Sequence, residues 1–280
     1  MATIDLTEAR KPPANRGPTG GIASQLVFAA RKFLDLQVSS VFDSIRPWLA
    51  ARSGSLLEVG CGDQPYRWLV PAGVSYTGID WQHAGAGFSV EKLPDVVYYD
   101  GAVFPCTDAA FTSVMHTEVL EHVVDVRMFL AQCFRVLKPG GEMMFTTPFQ
   151  ARFHFIPHDY WRFTPSGLTH LLTEAGFVDI KVMPRGTDIV VAAYKVVSVF
   201  YRVAYGSILG KLIFLAFSWL VVLLLILAHA CMRYHLGSTD DCIGYTVTAR
   251  RPAEARASNK RDGDAGEAAA SDAPARDASG

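Results

Sequence analysis

Short apolar runs separated by helix-length segments recur along the middle of the chain, at residues 55–60, 75–80, 95–99, 113–117, 142–147 and 177–183, with a last run at 242–249. Runs of this length, bounded by Gly, Pro and Asp, are the pattern of buried strands, and the segments between them are long enough for crossover helices. The alternation predicts an α/β fold on a doubly wound parallel sheet. Upstream, Leu26, Ala30, Phe33, Leu34, Val38, Val41, Phe42, Ile45 and Leu49 recur at three and four. That spacing predicts one amphipathic helix within residues 21–50, stopped near Pro47 and covering the core, with a lid or membrane-surface helix as the other reading.

A different pattern occupies residues 188–237. Residues 212–228 carry no charge, and only Ser218 and the indole of Trp219 interrupt the apolar character. A soluble core helix keeps a polar face, so this segment reads as membrane-embedded, the contrary reading being a soluble dimerisation hairpin. If 177–183 and 242–248 are neighbouring strands of one sheet, the chain must return to the side of the membrane it left. A single complete span is therefore excluded. The remaining solutions are a helical hairpin whose first arm is about 188–205, turning at Gly206, Ser207 and Gly210, or a segment that dips into one leaflet. Lys195 and Arg202, seven apart on one face of the first arm, are costly inside a bilayer, which favours a monotopic hairpin with that arm near the interface.

Composition adds little chemistry. The chain has 280 residues, half of them hydrophobic, and a net charge of −1. The length predicts one domain plus additions, and the charge gives no case for nucleic acid as a partner. Five cysteines without C-x-x-C spacing read as reduced thiols. Residues 1–20 hold no secretory signal core and read as disordered, as do residues 252–280, which lack Leu, Ile, Val and Phe. The domain plan is thus a core over 51–187, the hydrophobic insertion 188–237, and a last core strand within 238–251.

The chemistry is concentrated after the first strand. Glu58-Val59-Gly60-Cys61-Gly62 ends an apolar run in an acid and two glycines, which let backbone approach a ligand and offer N–H groups to it. About 20 residues on, the next run ends in Asp80, placed to take both hydroxyls of a ribose. Pro65 stands where a dinucleotide fingerprint would put its third glycine, so NAD is disfavoured.

Here the chain resembles the class I S-adenosylmethionine-dependent methyltransferases, from about residue 55 to 177. Four further segments carry the resemblance: Gly78-Ile79-Asp80, Tyr98-Tyr99-Asp100-Gly101, Thr117-Glu118-Val119-Leu120-Glu121-His122-Val123, and the Pro139-Gly140-Gly141 turn before strand five. Gln64 and Thr112 depart from the family pattern. The resemblance implies a seven-stranded sheet whose last strand is antiparallel, between the fifth and sixth. It also implies S-adenosyl-L-methionine as cofactor, contacted by Glu58, Gly60, Cys61, Gly62, Asp80, Trp81, Asp100, Gly101 and Thr117.

An acceptor hydroxyl has a proton to lose, which makes His122, His158 and Asp159 candidate bases. The aromatic stretch 153–164 offers an acceptor pocket with Tyr160, Trp161 and Arg162, the last holding an anion; packing under the next helix is the competing role. His154 and His158 are four apart with Asp159 and Glu121 available, but Pro157 breaks the helix that would align them, so no metal is expected. The expected function is a methyltransferase attached to the lipid bilayer, its catalytic domain on the cytoplasmic side, acting on a small-molecule, lipid or lipid-linked sugar acceptor. The alternatives are an inactive membrane adaptor that keeps the fold, and a nicotinamide-dependent enzyme.

Overall fold

Leu57, Val59, Ile79, Val114 and Phe145 are wholly buried on one side of the central strands, and Leu56, Met115 and Met144 on the other. Strands apolar on both faces need helices on both faces. In the computed structural model, which describes residues 11–253 apart from 14 and 89, they have them. The strands are β1 (Ser55–Val59), β2 (Ser75–Trp81), β3 (Val96–Tyr99), β4 (Phe111–Thr117), β5 (Leu137–Pro148), β6 (Val178–Arg185) and β7 (Gly244–Arg250). They form one sheet in the order β3-β2-β1-β4-β5-β7-β6, with β7 antiparallel to both neighbours. All seven expected strands are present, and the last lies where the resemblance implies. The order reverses between β1 and β4, and the carboxyl ends of these strands open the crevice in which doubly wound sheets bind ligands.

One face is covered by α4 (Val126–Val136) and α5 (Pro165–Glu174), the other by α2 (Leu36–Ala50), while the short α3 (Ala84–Phe88) follows β2. The single N-terminal helix expected from periodicity is two. Asp35 breaks it, leaving α1 (Gly21–Leu34) and capping α2 by accepting hydrogen bonds from the N–H groups of Gln37 and Val38. Pro47 lies inside α2, which runs on to Ala50 and so ends within one turn of it. Only Phe28 of α1 is buried, whereas Ile22, Leu26 and Val27 are exposed. Pro139-Gly140-Gly141 is likewise not a turn before β5. It lies inside that strand, where the pairing with β4 slips from Phe111 with Leu137 to Ser113 with Glu142, and Gly140 adopts a φ of 77°. Residues 138–141 of β5 stand opposite the single Thr112 of β4, so the strand bulges out there, and the left-handed backbone at Gly140 favours glycine.

The expected disordered stretches fall partly on residues 1–10 and 254–280, outside the described residues. Residues that are described behave otherwise: Arg16 is paired with Asp63 and Glu91, Asn15 donates to the Tyr66 hydroxyl, and the Pro252 carbonyl accepts from Gly140 N–H. None of the five cysteines is in a disulfide.

The insertion between β6 and β7 is a pair of helices, α6 (Asp188–Gly206) and α7 (Ile208–Tyr234), with the Ser207 side chain capping α7. Val190, Ala193 and Val197 pack with Val221, Leu225 and Ala228, so the arms run antiparallel. Their far ends meet again where Asp188 N–H donates to Ser238 O and the Thr187 hydroxyl to Leu236 O. The chain therefore returns to its starting edge, as the strand order demands. The two arms form one packed body. Outside that seam α7 is bare: Leu212, Leu215, Trp219 and Leu223 are each more than half exposed. At about 1.5 Å per residue α7 is roughly 40 Å long, more than the hydrocarbon thickness of a bilayer.

Arg185, the last residue of β6, stands at the root of this hairpin and is buried. Its guanidinium donates to Ser40 Oγ of α2 at 2.9 Å, to Glu118 Oε1 after β4 at 2.7 Å and to the Thr147 carbonyl of β5 at 3.1 Å. Removing one partner of a buried charge pair strands the other. Arg185→Met should destabilise the fold by about 3 kcal/mol, the lower end for such pairs because Glu118 is partly exposed. Arg127→Ala, which breaks a surface pair with Glu174, should cost less than about 1 kcal/mol. Urea unfolding of both variants measures the difference.

Candidate active site

The turn after β1 is shaped by glycines. Gly60 and Gly62 have φ of +65° and +50°, and a Cβ on Gly60 would lie 2.6 Å from Val119. A side chain fits neither the backbone nor the space at Gly60. The turn's N–H groups, expected to face a ligand, are used internally. Those of Gly60 and Cys61 donate to Ile79 O, and that of Gly62 donates to Asp80 Oδ2 at 2.9 Å. The turn therefore presents a bare Cα face, and its register is locked to the Asp80 carboxylate. Asp80 Oδ1 also accepts from Trp81 N–H. A carboxylate has about four acceptor positions, so Asp80 retains capacity for two ligand hydroxyls. On the next loop Asp100 Oδ1 accepts from Ala102 N–H, and Gly101, at φ +96°, lies so close to the Trp81 indole that a Cβ would sit 3.1 Å from it.

These residues line one cavity of about 1930 Å³, which takes in Gly60, Cys61, Gly62, Asp80, Trp81, Asp100, Gly101 and Thr117. Glu58 does not line it. It is buried behind the turn, where one carboxylate oxygen accepts from the Tyr76 hydroxyl and Oε1 has no partner. Burial pushes the Glu58 carboxyl up to about 7, against the opposing hydrogen bond from Tyr76. Burial likewise raises the Cys61 thiol, so Cys61 meets a ligand as a neutral group.

The acceptor-side candidates separate on inspection of their partners. Asp159 accepts two hydrogen bonds from Arg162, at 2.6 and 2.8 Å, and one from the His154 backbone N–H. Although burial opposes it, these partners hold its carboxyl below the usual range. Asp159 is thus a poor base and Arg162 is already committed to an anion, which corrects both expectations. Together they brace the loop after β5. Trp161 donates to Val123 O and lines a small neighbouring pocket with Phe163 rather than the main cavity, the two adjoining at Val124 and Asp125. Tyr160 does line the main cavity, as do His122 and His158. Burial, then the nearby His154, lowers His122 to about 4, so it is neutral at physiological pH and a weak base. His158 keeps its ring at the cavity wall, edge-on to Trp81 with centroids 5.3 Å apart.

A model of the methyltransferase domain family matches residues 30–182, more than half of the chain. The chain belongs to the methyltransferase domain family. Its sheet places it among the class I, S-adenosylmethionine-dependent members. A Mycolicibacterium smegmatis protein named as a probable S-adenosylmethionine-dependent methyltransferase is 32% identical over 132 residues, covering 44% of this chain and 51% of that one. A Mycobacterium tuberculosis protein of the same description is 28% identical over 149 residues, 50% of this chain and 54% of that one. The phthiotriol/phenolphthiotriol dimycocerosates methyltransferase of Mycobacterium tuberculosis is 38% identical over 95 residues, 31% of this chain and 34% of that one. The chain spans about half the length of the first two relatives.

The methyltransferase pocket fits S-adenosylmethionine on its own geometry: a glycine face with no Cβ, a buried carboxylate with spare acceptor positions, and an aromatic wall at Trp81 beside a glycine loop. Two lining residues escaped the sequence reading. Glu118, at φ +52°, is bound to Arg185, and Phe88 packs against His122 with centroids 5.0 Å apart. A non-glycine residue in the left-handed region just after a strand is a mark of functional sites, but φ is not visible in a sequence.

The buried Glu58 yields a pH signature. Its carboxyl keeps a proton in the folded state up to about 7 that the unfolded chain releases near 4.5. Stability is then lost as pH rises through that window. Relative to Glu58→Gln, the wild type should lose about 3 kcal/mol across it, read from urea unfolding of ligand-free protein at a series of pH values.

Proposed function

We propose that this chain transfers a methyl group from S-adenosylmethionine to a lipid-borne acceptor, working as a membrane-attached enzyme. One observation supports it above the rest. The cavity that begins at Gly60 and Asp80 runs on to Tyr194, Lys195, Ser198 and Arg202 of α6 and to Phe214, Val221 and Val222 of α7. The cofactor end and the apolar hairpin thus share one open space. Lys195 and Arg202 line that space, where two cations on an apolar hairpin favour an acceptor with an anionic group such as phosphate. The exposed apolar residues of α1 lie beside the same cavity, consistent with a helix in the membrane surface. One relative's name, phthiotriol/phenolphthiotriol dimycocerosates methyltransferase, is compatible with such an acceptor.

The cofactor supplies an electrophilic methyl group, so the protein's work is positioning and proton removal. Asp80 takes the ribose hydroxyls, Asp100, Gly101 and Trp81 enclose the base, and Gly60, Cys61, Gly62 and Thr117 border the methionine end. Asp159 and Arg162 hold the lid-like loop that carries Tyr160 and His158 over the cavity. Of the three candidate bases, His158 is the one with an uncommitted place at the wall. The catalytic domain lies on the cytoplasmic side, where S-adenosylmethionine is available.

Two variants separate the two halves of this reading. Leu215→Lys with Leu223→Lys changes only exposed positions; it should abolish flotation with liposomes and methyl transfer into vesicle lipid while S-adenosylmethionine binding stays intact. Asp80→Ala should float normally and bind the cofactor about tenfold more weakly or worse. Unchanged flotation of the lysine variant would remove the hairpin as anchor. Cofactor binding without methyl transfer to any lipid fraction would favour the inactive adaptor.

A further inference from the structure

Glu121 and His122, in the turn after β4, and His154, in the loop after β5, come together although the sequence separates them. One ligand-capable atom from each lies within 4.8 Å of the other two. Glu121 is wholly buried. Its Oε2 lies 3.5 Å from the Thr147 hydroxyl, but Oε1 has no hydrogen-bond partner and stands 3.7 Å from His122 Nε2. A buried carboxylate oxygen without a hydrogen-bond donor is costly, and a cation bound beside it would relieve that cost.

The two imidazoles are oriented as ligands are. His122 Nδ1 is 2.6 Å from the His158 carbonyl oxygen. His154 Nδ1 is 2.9 Å from the Arg152 carbonyl and 3.0 Å from Asp159 Oδ2. Each Nδ1 thus has an acceptor that fixes the proton there, and each Nε2 keeps its lone pair. Metal-bound histidines are held in this way, the outer nitrogen donating to a carbonyl or carboxylate. The bracing of the loop by Asp159 and Arg162 then has a second purpose, which is to hold His154 in place. His158 contributes only its backbone carbonyl.

We propose that Glu121 Oε1, His122 Nε2 and His154 Nε2 bind one divalent transition-metal ion, zinc or a similar metal, at the wall of the catalytic cavity. Two nitrogen donors and one oxygen suit such ions better than magnesium or calcium, which take oxygen ligands. Three protein ligands leave coordination positions open, the arrangement of catalytic sites rather than structural ones. His122 and His154 both line the cavity, so the open positions face it. The further ligand would be an oxygen of the acceptor; a hydroxyl bound there loses its proton more readily, the proton passing to water or His158 with nothing oxidised or reduced. That last assignment rests on the proposed function, whereas binding of the ion does not.

The test is metal affinity rather than turnover. Chelator-stripped full-length protein in detergent is titrated with Zn²⁺ against a chromophoric competitor, and with Co²⁺ while its visible absorption is followed. One ion per chain is expected. His154→Gln, on a loop, and Glu121→Gln should each weaken binding at least about tenfold and alter the Co²⁺ spectrum, with circular dichroism unchanged. His158→Gln should bind as the wild type does. The proposal is overturned if the wild type takes up no stoichiometric metal, if it prefers Mg²⁺, or if His154→Gln binds as tightly as the wild type. It is also overturned if His158→Gln loses metal equally. Metal uptake of the expected kind without methyl transfer would count against the proposed function and leave this site standing.

Discussion

The guanidinium of Arg185 is the contact through which the hydrophobic hairpin and the catalytic crevice are held in one frame. It closes β6, the strand from which α6 departs, and reaches Glu118 at the carboxyl end of β4, Ser40 on α2 and Thr147 on β5. Ile243 N–H donates to the Arg185 carbonyl, so the returning strand is registered against the same residue. A charge this deep is tolerated only when each neighbour answers it, and the neighbours come from the parts that have to be aligned. With β7 seated between β5 and β6, the hairpin has no freedom to emerge elsewhere.

From that frame the continuity of the cavity follows. The order of the sheet reverses at β1 and β4, which opens the crevice at their carboxyl ends. β6 ends on the same side, so α6 begins there. The Asp35 break lets α1 lean over the crevice while α2 stays on the sheet: Tyr201 of α6 donates to Leu34 O, and His229 of α7 contacts Phe33 O. The walls of the cavity thus change from glycine and carboxylate to aromatic, and then to aliphatic, within one space. The proposed transfer from a polar cofactor to a lipid-borne acceptor needs that gradient.

How much of this was legible in the sequence depended on whether the information was local. The strands were readable because buried parallel strands are continuous apolar runs, and the glycine turn, Asp80 and Gly101 because left-handed backbone and ribose contacts leave residue-type marks. The hairpin was readable because residues 212–228 have no charge. Asp35 was missed because periodicity alone continues through it, and a capping aspartate in mid-pattern looks like one more polar position. The bulge at Gly140 looked like a turn because both use the same residues. Asp159 and Arg162 looked reactive until each was seen to neutralise the other. The sequence suggested His154 with Glu121 but paired them with His158; that His122 stands there instead is set by two loops from different strands, and no spacing along the chain encodes it.

On the proposed function, one cavity joins the cofactor to the bilayer. Its most direct test is a structure of the full chain in lipid nanodiscs with S-adenosylhomocysteine bound. The expected result is the cofactor product against Gly62 and Asp80, acyl chains against the bare face of α7, and a lipid headgroup in the cavity beside Lys195 and Arg202. A hairpin outside the bilayer, with its apolar face covered by a second copy of the chain, would contradict it.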